Sequence, residues 1–107
     1  MIKKFYISDE DPQLWMLENR PKVMDLIYGN IFDFYDSDQS EKTIAKIVTS
    51  YKVKETGRNL SIDFALKRES LSDTLTKCQL YYEEIEEYER CAKLFDLKKR
   101  MEQDLVE

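Results

Sequence analysis

The sequence predicts an α+β fold, and three observations support this prediction. Alternating apolar residues at the N-terminus indicate one short strand, and two alternating runs within residues 43–68 indicate an antiparallel β-hairpin. Residues 70–107 contain neither proline nor glycine, which is typical of one long helix. Since the chain has 107 residues and only two glycines, we expect a single domain rather than a turn-rich sandwich or barrel.

The N-terminal region is predicted to form a strand followed by a broken helical region. Within residues 1–8 the alternation directs Phe5 and Ile7 inward. Asp11 and Pro12 indicate a helix start, because aspartate is a favoured N-cap and proline fits the first helical position. This first helix is expected to bury Leu14 and Trp15, with Leu17 as a further candidate.

A second helix is predicted over residues 21–28. Pro21 disfavours helical geometry at the residue before it and readily begins a new helix. Gly29 follows as a suitable C-terminal cap together with the next residue, an asparagine. Residues 31–35 fit either a further turn of helix or an extended segment.

The hairpin is predicted to bury one of its faces. Two runs of period two, joined by a short loop with one glycine at residues 55–59, are typical of antiparallel strands. On the first strand the inward residues are predicted to be Ala45, Ile47, Thr49, Tyr51 and Val53. On the second strand they are predicted to be Leu60, Ile62, Phe64 and Leu66.

The predicted C-terminal helix, residues 70–107, has two apolar stripes. The first runs from Leu71 to Phe95 at spacings of three and four, the pattern of a helix packed on a sheet. The second lies nearly opposite and consists of Leu94, Leu97, Met101 and Leu105. At a rise of about 1.5 Å per residue the helix would extend beyond the core of a domain this small.

The second stripe is therefore predicted to contact the first helix of the chain, to serve self-association as a homodimer, or to contact a foreign protein. The alternative is a bend or break near residues 93–96 that turns both stripes inward.

Charge divides the chain into an acidic beginning, a basic middle and an acidic end, within a net charge of −5. Five glutamates lie between residues 83 and 89, and four of them are placed on the helix face away from the first stripe: Glu83, Glu84, Glu86 and Glu87. Solubility alone explains such a run as well as function does. The functional hypothesis is a surface that binds a basic partner, such as a protein that normally holds nucleic acid.

The outward face of the hairpin has a basic set, with Arg68 at its end: Lys46, Lys52, Lys54, Arg58 and Lys67. A basic β-ribbon can follow a phosphate backbone. The outward positions lack the aromatic side chains that stack on bases, and lysines on sheet edges also prevent aggregation. Nucleic-acid binding is therefore the alternative hypothesis.

Catalysis and cofactor binding find little support in the sequence. The chain has no histidine, which removes Ser–His and Cys–His nucleophiles and histidine metal sites. Cys78 and Cys91 lie on divergent faces of the predicted helix and cannot begin a zinc site, and no cofactor motif is present. No secretory leader or membrane span is recognisable, so a cytoplasmic setting is expected.

Together these features predict a small acidic, non-enzymatic regulatory protein that acts by protein–protein contact. An inhibitor or nucleic-acid mimic of phage or plasmid type fits that description by analogy only.

Overall fold

The computed structural model describes residues 2–7, 11–52 and 54–106. Its elements follow in the order β1 (Lys3–Tyr6), α1 (Pro12–Glu18), α2 (Arg20–Asp36), β2 (Glu41–Lys52), β3 (Asn59–Lys67), α3 (Leu71–Glu84) and α4 (Tyr88–Val106). A single 3-10 turn, Arg68–Ser70, connects β3 to α3. The α+β fold predicted from the sequence is confirmed.

The three strands form one sheet in the order β1-β2-β3, with β1 parallel and β3 antiparallel to β2. Helices α1 and α2 make the connection between the two parallel strands and cover one face of the sheet. On that face the ring of Phe5 lies 4.9 Å from that of Trp15, measured between centroids. The opposite face is open, since Tyr6 is 74% exposed.

The start of α1 follows the prediction, whereas the end of α2 does not. Asp11 caps α1 by accepting a hydrogen bond from the N–H of Gln13 at 3.0 Å. Helix α2 continues past Gly29 to Asp36, so residues 31–35 are helical and the predicted end at residue 28 is wrong. The continuation is favoured because it buries Ile31 and the phenylalanine three residues later.

The predicted burial of side chains in the N-terminal half is confirmed for Ile7 and is only partly correct for α1. Trp15 is half-buried, but Leu14 and Leu17 are exposed, because α1 turns that side of its short helix to solvent. Ile7 is buried, as the alternation predicted.

One hydrophobic cluster joins the helices to the sheet. Its buried members are Ile27, Ile31, Phe34, Ile44, Leu66, Leu71, Leu75, Cys78, Tyr81, Tyr82, Leu94 and Leu97. Because Ile44 and Leu66 belong to strands β2 and β3, the C-terminal helical region packs on the sheet, as predicted.

The prediction of one continuous helix over residues 70–107 is wrong. Helix α3 ends with a Schellman motif, in which the N–H of Glu87 donates to the carbonyl of Tyr82 at 2.8 Å and that of Glu86 to the carbonyl of Glu83 at 3.1 Å. Glu86 adopts the left-handed conformation that this motif needs, with φ 62°. The break therefore lies at residues 85–87, before the alternative position at 93–96.

The break reverses the roles of the two stripes in α4. Leu94 and Leu97 are 0% and 1% exposed, and Met101 packs against the same cluster. Leu105 remains 86% exposed. Leu94 and Leu97 are therefore not available for self-association or for a partner, because the turn at residues 85–87 directs them into the chain's own core. Formation of a homodimer stays a prediction.

The buried face of the hairpin is shorter than predicted. Leu66 and the inward side chains of β2 up to Thr49 are buried, and Phe64 is half-buried. Leu60 and Ile62 are 44% and 41% exposed, and Tyr51 is also exposed, because α1 and α2 do not reach the tip of the hairpin. Val53, also predicted to point inward, lies outside the described residues.

Replacing Glu86 by glycine is expected to stabilise the protein by about 1 kcal/mol. A side chain in the left-handed region costs roughly 1–2 kcal/mol, and the greater freedom of glycine in the unfolded chain offsets only part of the gain. Chemical denaturation measures the effect, with Glu83→Gly inside α3 as the control that should lose stability. Equal losses in both variants would show that the break does not depend on this conformation.

Candidate protein-contact surface

The glutamates predicted to share one helix face lie instead at a corner between two helices. Glu83 and Glu84 end α3, while Glu86 and Glu87 form the link to α4. All four side chains are exposed. We refer to these four residues as the acidic corner. Their projection from a turn presents them to a wider range of directions than one helix face would.

Three large apolar side chains are exposed beside the acidic corner. Ile85 lies within it, Tyr88 follows it directly and is 64% exposed, and Leu80 lies one helical turn before it. Aromatic residues are enriched at the centre of protein–protein interfaces, whereas polar and charged residues form the rim. The corner thus combines negative charge with apolar area that contact could bury.

The charges of the acidic corner are mostly uncompensated by the described part of the chain. Only Glu84 has an ion pair there, at 3.5 Å from Arg20, and both side chains are well exposed. Negative charge at the C-terminus of a helix opposes the helix dipole and repels its neighbours. Glu83 and Glu84 therefore have an electrostatic cost at the end of α3. Glu86 and Glu87 directly precede the N-terminus of α4, where the dipole favours negative charge, and the Schellman motif accounts for the left-handed Glu86.

A network of polar side chains holds the two helices behind the corner. The hydroxyl of Tyr82 donates to Asp25 Oδ1 at 2.6 Å, and Arg90 Nη1 donates to the same oxygen at 2.9 Å. The guanidinium lies 4.6 Å from the ring centroid of Tyr28. These contacts tie α4 and α3 to α2, so the corner is presented by a fixed pair of helices.

Burial keeps two titratable groups behind the corner in their neutral forms. It raises the pKa of the Cys78 thiol to about 12. It also raises the pKa of the Tyr82 hydroxyl, with the hydrogen bond to Asp25 as the second cause. Such groups are poor nucleophiles near neutral pH and therefore have a structural role.

These raised pKa values predict that stability falls in alkaline solution. Above about pH 9 the unfolded chain loses the Cys78 proton while the folded chain keeps it, so the free energy of unfolding should fall by about 1.4 kcal/mol per pH unit for this group. Denaturation at a series of pH values measures the slope. Cys78→Val should show a shallower slope than the wild type, and identical slopes would contradict the assignment.

The basic set of the hairpin does not form one compact face. Lys46 Nζ lies 3.7 Å from Asp63 Oδ1. Lys52, Lys54 and Arg58 are exposed near the tip, whereas Lys67 lies at the far end of β3, roughly 25 Å away at about 3.3 Å per residue. Only the three residues at the tip are close together.

Arg68, which the sequence places at the end of the basic hairpin, is instead a capping residue. Its guanidinium, through Nε and both Nη atoms, donates to four main-chain carbonyls in and after the last turn of α2, namely those of Phe34, Tyr35, Ser37 and Gln39. Sequence patterns gave no sign of this role, since the carbonyls lie about 30 residues earlier in the chain and have no side-chain signature.

Two tests of other functions apply to the described residues. Within them no group of three or more cysteine, aspartate or glutamate side chains is arranged to hold a metal ion. None of the helices there combines the length and apolar character needed to cross a lipid bilayer.

By its fold this chain is an α+β protein with a three-stranded mixed sheet. Its comparison with protein-family models, curated proteins and solved structures finds no match.

Proposed function

We propose that this protein is a non-enzymatic regulatory protein that acts by contact with a partner protein, and that the acidic corner binds a basic surface of that partner. An inhibitor, or a mimic of nucleic acid that occupies a basic groove, would act in this way. The supporting observation is the acidic corner itself, whose four exposed glutamates surround Ile85 and adjoin Tyr88.

Charge and apolar area have different tasks in such a contact. The negative potential of the corner attracts a basic surface over the screening distance of about 8–10 Å at physiological salt. Ile85 and Tyr88 then supply apolar area whose burial adds to the affinity. The uncompensated repulsion within the corner would be relieved when the partner's cations arrive.

Reversal of charge at the corner tests this proposal. Glu83→Lys/Glu87→Lys is expected to abolish retention of the partner when the protein is used to capture proteins from a lysate treated with nuclease. The matched control, Glu69→Lys/Glu102→Lys, changes the net charge equally at two exposed positions away from the corner and should retain the partner.

Two further measurements make the test decisive. Wild-type capture should weaken as salt is raised, and Tyr88→Ala should weaken it at every salt concentration. Equal capture by the corner variant and its control would contradict the proposal. Circular dichroism of each variant confirms that the fold is kept.

The alternative is an accessory protein that binds nucleic acid through the hairpin. The exposed tip residues Lys52, Lys54 and Arg58 favour it, although their number is small for phosphate binding. Salt-dependent binding of labelled DNA or RNA that is lost in Lys52→Glu/Lys54→Glu would support this alternative. If capture of the partner also requires that nucleic acid, the acidic-corner proposal is contradicted.

A further inference from the structure

A groove lies beside strand β3, on the side of the sheet that the helices cover. Its volume is about 520 Å³, and its wall is mainly apolar, with residues from β3, from α1 and α2, and from α3. The apolar wall includes Met16, Val23, Met24 and Phe64. This volume lies in the range of sites that bind drug-sized ligands or a few side chains of a peptide.

The outer edge of β3 has backbone groups that the sheet does not pair. β3 is the last strand of the sheet. The N–H of Arg68 donates to the carbonyl of Ser40 at 2.8 Å, and the carbonyl of Leu60 accepts from the Thr49 hydroxyl at 3.0 Å, so even-numbered residues direct their backbone groups toward β2. By alternation, the N–H and C=O groups of Asp63 and Ala65 point to the free edge.

The groove runs beside β3, whose outer edge is free. Phe64 and Leu66 direct their side chains to the helix-covered face of the sheet, and Ala65 directs its side chain to the opposite face. All three line the groove, so the groove follows this stretch of β3, the outermost strand of the sheet. An extended chain that pairs with β3 would therefore place every second side chain in the apolar part.

The rim of the groove is basic. Arg20 and Lys77 line it from α2 and α3, with Gln13 and Thr74 as further polar residues. Lys77 has no ion pair within the described residues, and Arg20 has only its exposed pair with Glu84. A carboxylate on a ligand would thus meet two cations, whereas a second cation would be repelled.

We propose that the groove binds an extended peptide segment, apolar at alternate positions and with an acidic side chain or a terminal carboxylate, which adds to β3 as a fourth strand. The unpaired edge selects an extended backbone, the apolar wall selects its side chains, and the basic rim selects its charge. This mode of recognition by strand addition gives affinity through the main chain and specificity through the pocket. This surface meets the acidic corner at the ion pair between Arg20 and Glu84, and the proposal does not depend on the function of the corner.

The experiment uses a set of synthetic peptides of about eight residues, the length of an ordinary strand. Each has valine or leucine alternating with threonine and one aspartate, and carries a fluorophore. For each there is a version with alternate backbone amides N-methylated, which cannot pair with the edge. Fluorescence anisotropy should show binding of the unmodified peptide, and binding at least tenfold weaker for its N-methylated version. In hydrogen exchange the Ala65 amide should become protected when peptide binds.

Variants of the protein locate the binding surface. Ala65→Pro removes an outward N–H and should weaken binding at least tenfold, while Tyr6→Pro makes the same change on the opposite edge, at β1, and should have no effect. Lys77→Glu, on the surface of α3, should weaken binding of the aspartate peptide about tenfold and leave its asparagine analogue nearly unchanged. The corner variant Glu83→Lys/Glu87→Lys keeps Glu84 and its ion pair with Arg20, and it should bind the peptide as the wild type does. This result separates the present proposal from the one above.

Three results would overturn the proposal. One is failure of every peptide in the set to bind at millimolar concentration. A second is equal binding of the N-methylated versions, which would make the groove a site for apolar ligands without strand addition. The third is protection of the Ala65 amide that rises with protein concentration in the absence of peptide, which would identify a second copy of this chain as the occupant.

Discussion

Replacing Arg68 by alanine is expected to lower the free energy of unfolding by about 3–4 kcal/mol, since hydrogen bonds to a charged group contribute more than neutral ones. The guanidinium donates to the Phe34 and Ser37 carbonyls at 2.8 and 2.7 Å and lies 4.9 Å from the centroid of the Phe34 ring. Its loss would take the arginine donor from the carbonyls of Tyr35, Ser37 and Gln39. The Phe34 carbonyl would still accept from the N–H and the hydroxyl of Ser37. The substitution would also remove a cation from the negative end of α2.

The planar shape of the arginine side chain is part of this prediction. Arg68→Lys should lose most of the same stability, because one ammonium group cannot reach four carbonyls at once. Arg58→Ala is the matched control, since the Arg58 side chain is exposed and makes no hydrogen bond in the described structure. Urea denaturation measures all three variants. A loss at Arg68 no larger than at Arg58 would contradict the capping role.

Replacing Leu94 by alanine is expected to cost about 2–5 kcal/mol, the range for a leucine removed from a packed core. Leu94 is 0% exposed and lies in the cluster that joins α2, α3 and α4 to the sheet. Few side chains in the chain are better placed to create a cavity when shortened.

The control for Leu94 comes from the same stripe. Leu105→Ala should change stability by less than about 0.5 kcal/mol, because the Leu105 side chain is 86% exposed. Thermal melts and light scattering should be recorded for both variants. If Leu94→Ala is tolerated and instead alters the oligomeric state, the stripe is a surface after all and the turn at residues 85–87 is misplaced.

The hairpin was predictable from the sequence because its signal is local. Residues of period two on either side of a glycine-containing turn specify both the strands and their antiparallel pairing. The register, with Ile47 opposite Ile62, was not predictable, because it includes two shifts along β2 that no sequence pattern marks. The extent of its burial was not predictable, because exposure of Leu60 depends on where α1 and α2 end over the sheet. That is a property of packing between distant segments.

The break between α3 and α4 was missed because its usual marker is absent. Glycine most often occupies the left-handed position of a Schellman motif, and here a glutamate does. Gly29 led to the opposite error: a glycine there predicted the end of α2, but the helix continues through it. Just beyond it, the side chain of Asn30 donates to the carbonyl of Leu26 at 2.8 Å. The burial of apolar residues on both sides of each position decided these cases, rather than local propensity.

Of the candidate sites, the acidic corner could be identified from the sequence as a cluster of glutamates, but its three-dimensional arrangement could not be predicted. The four glutamates are adjacent in sequence, so any fold would bring them together. Their arrangement around a turn depends on the break between α3 and α4. Because the sequence predicted a continuous helix there, it also placed the glutamates incorrectly on one helix face. The groove beside β3 could not be predicted, because it is formed by residues as distant as Met16 and Lys77, which no sequence pattern relates.

The parallel pairing of β1 with β2 has a consequence for the order in which the fold can form. Lys3 pairs with Ala45, so the ends of a loop of about 40 residues must meet, and the entropy cost of closure grows with loop length. The hairpin closes a far shorter loop. Folding should therefore begin at β2 and β3, and β1 should join only after α1 and α2 have collapsed onto them. Until then β2 has a free edge in addition to that of β3, and during synthesis or refolding this second edge is open to incorrect strand pairing.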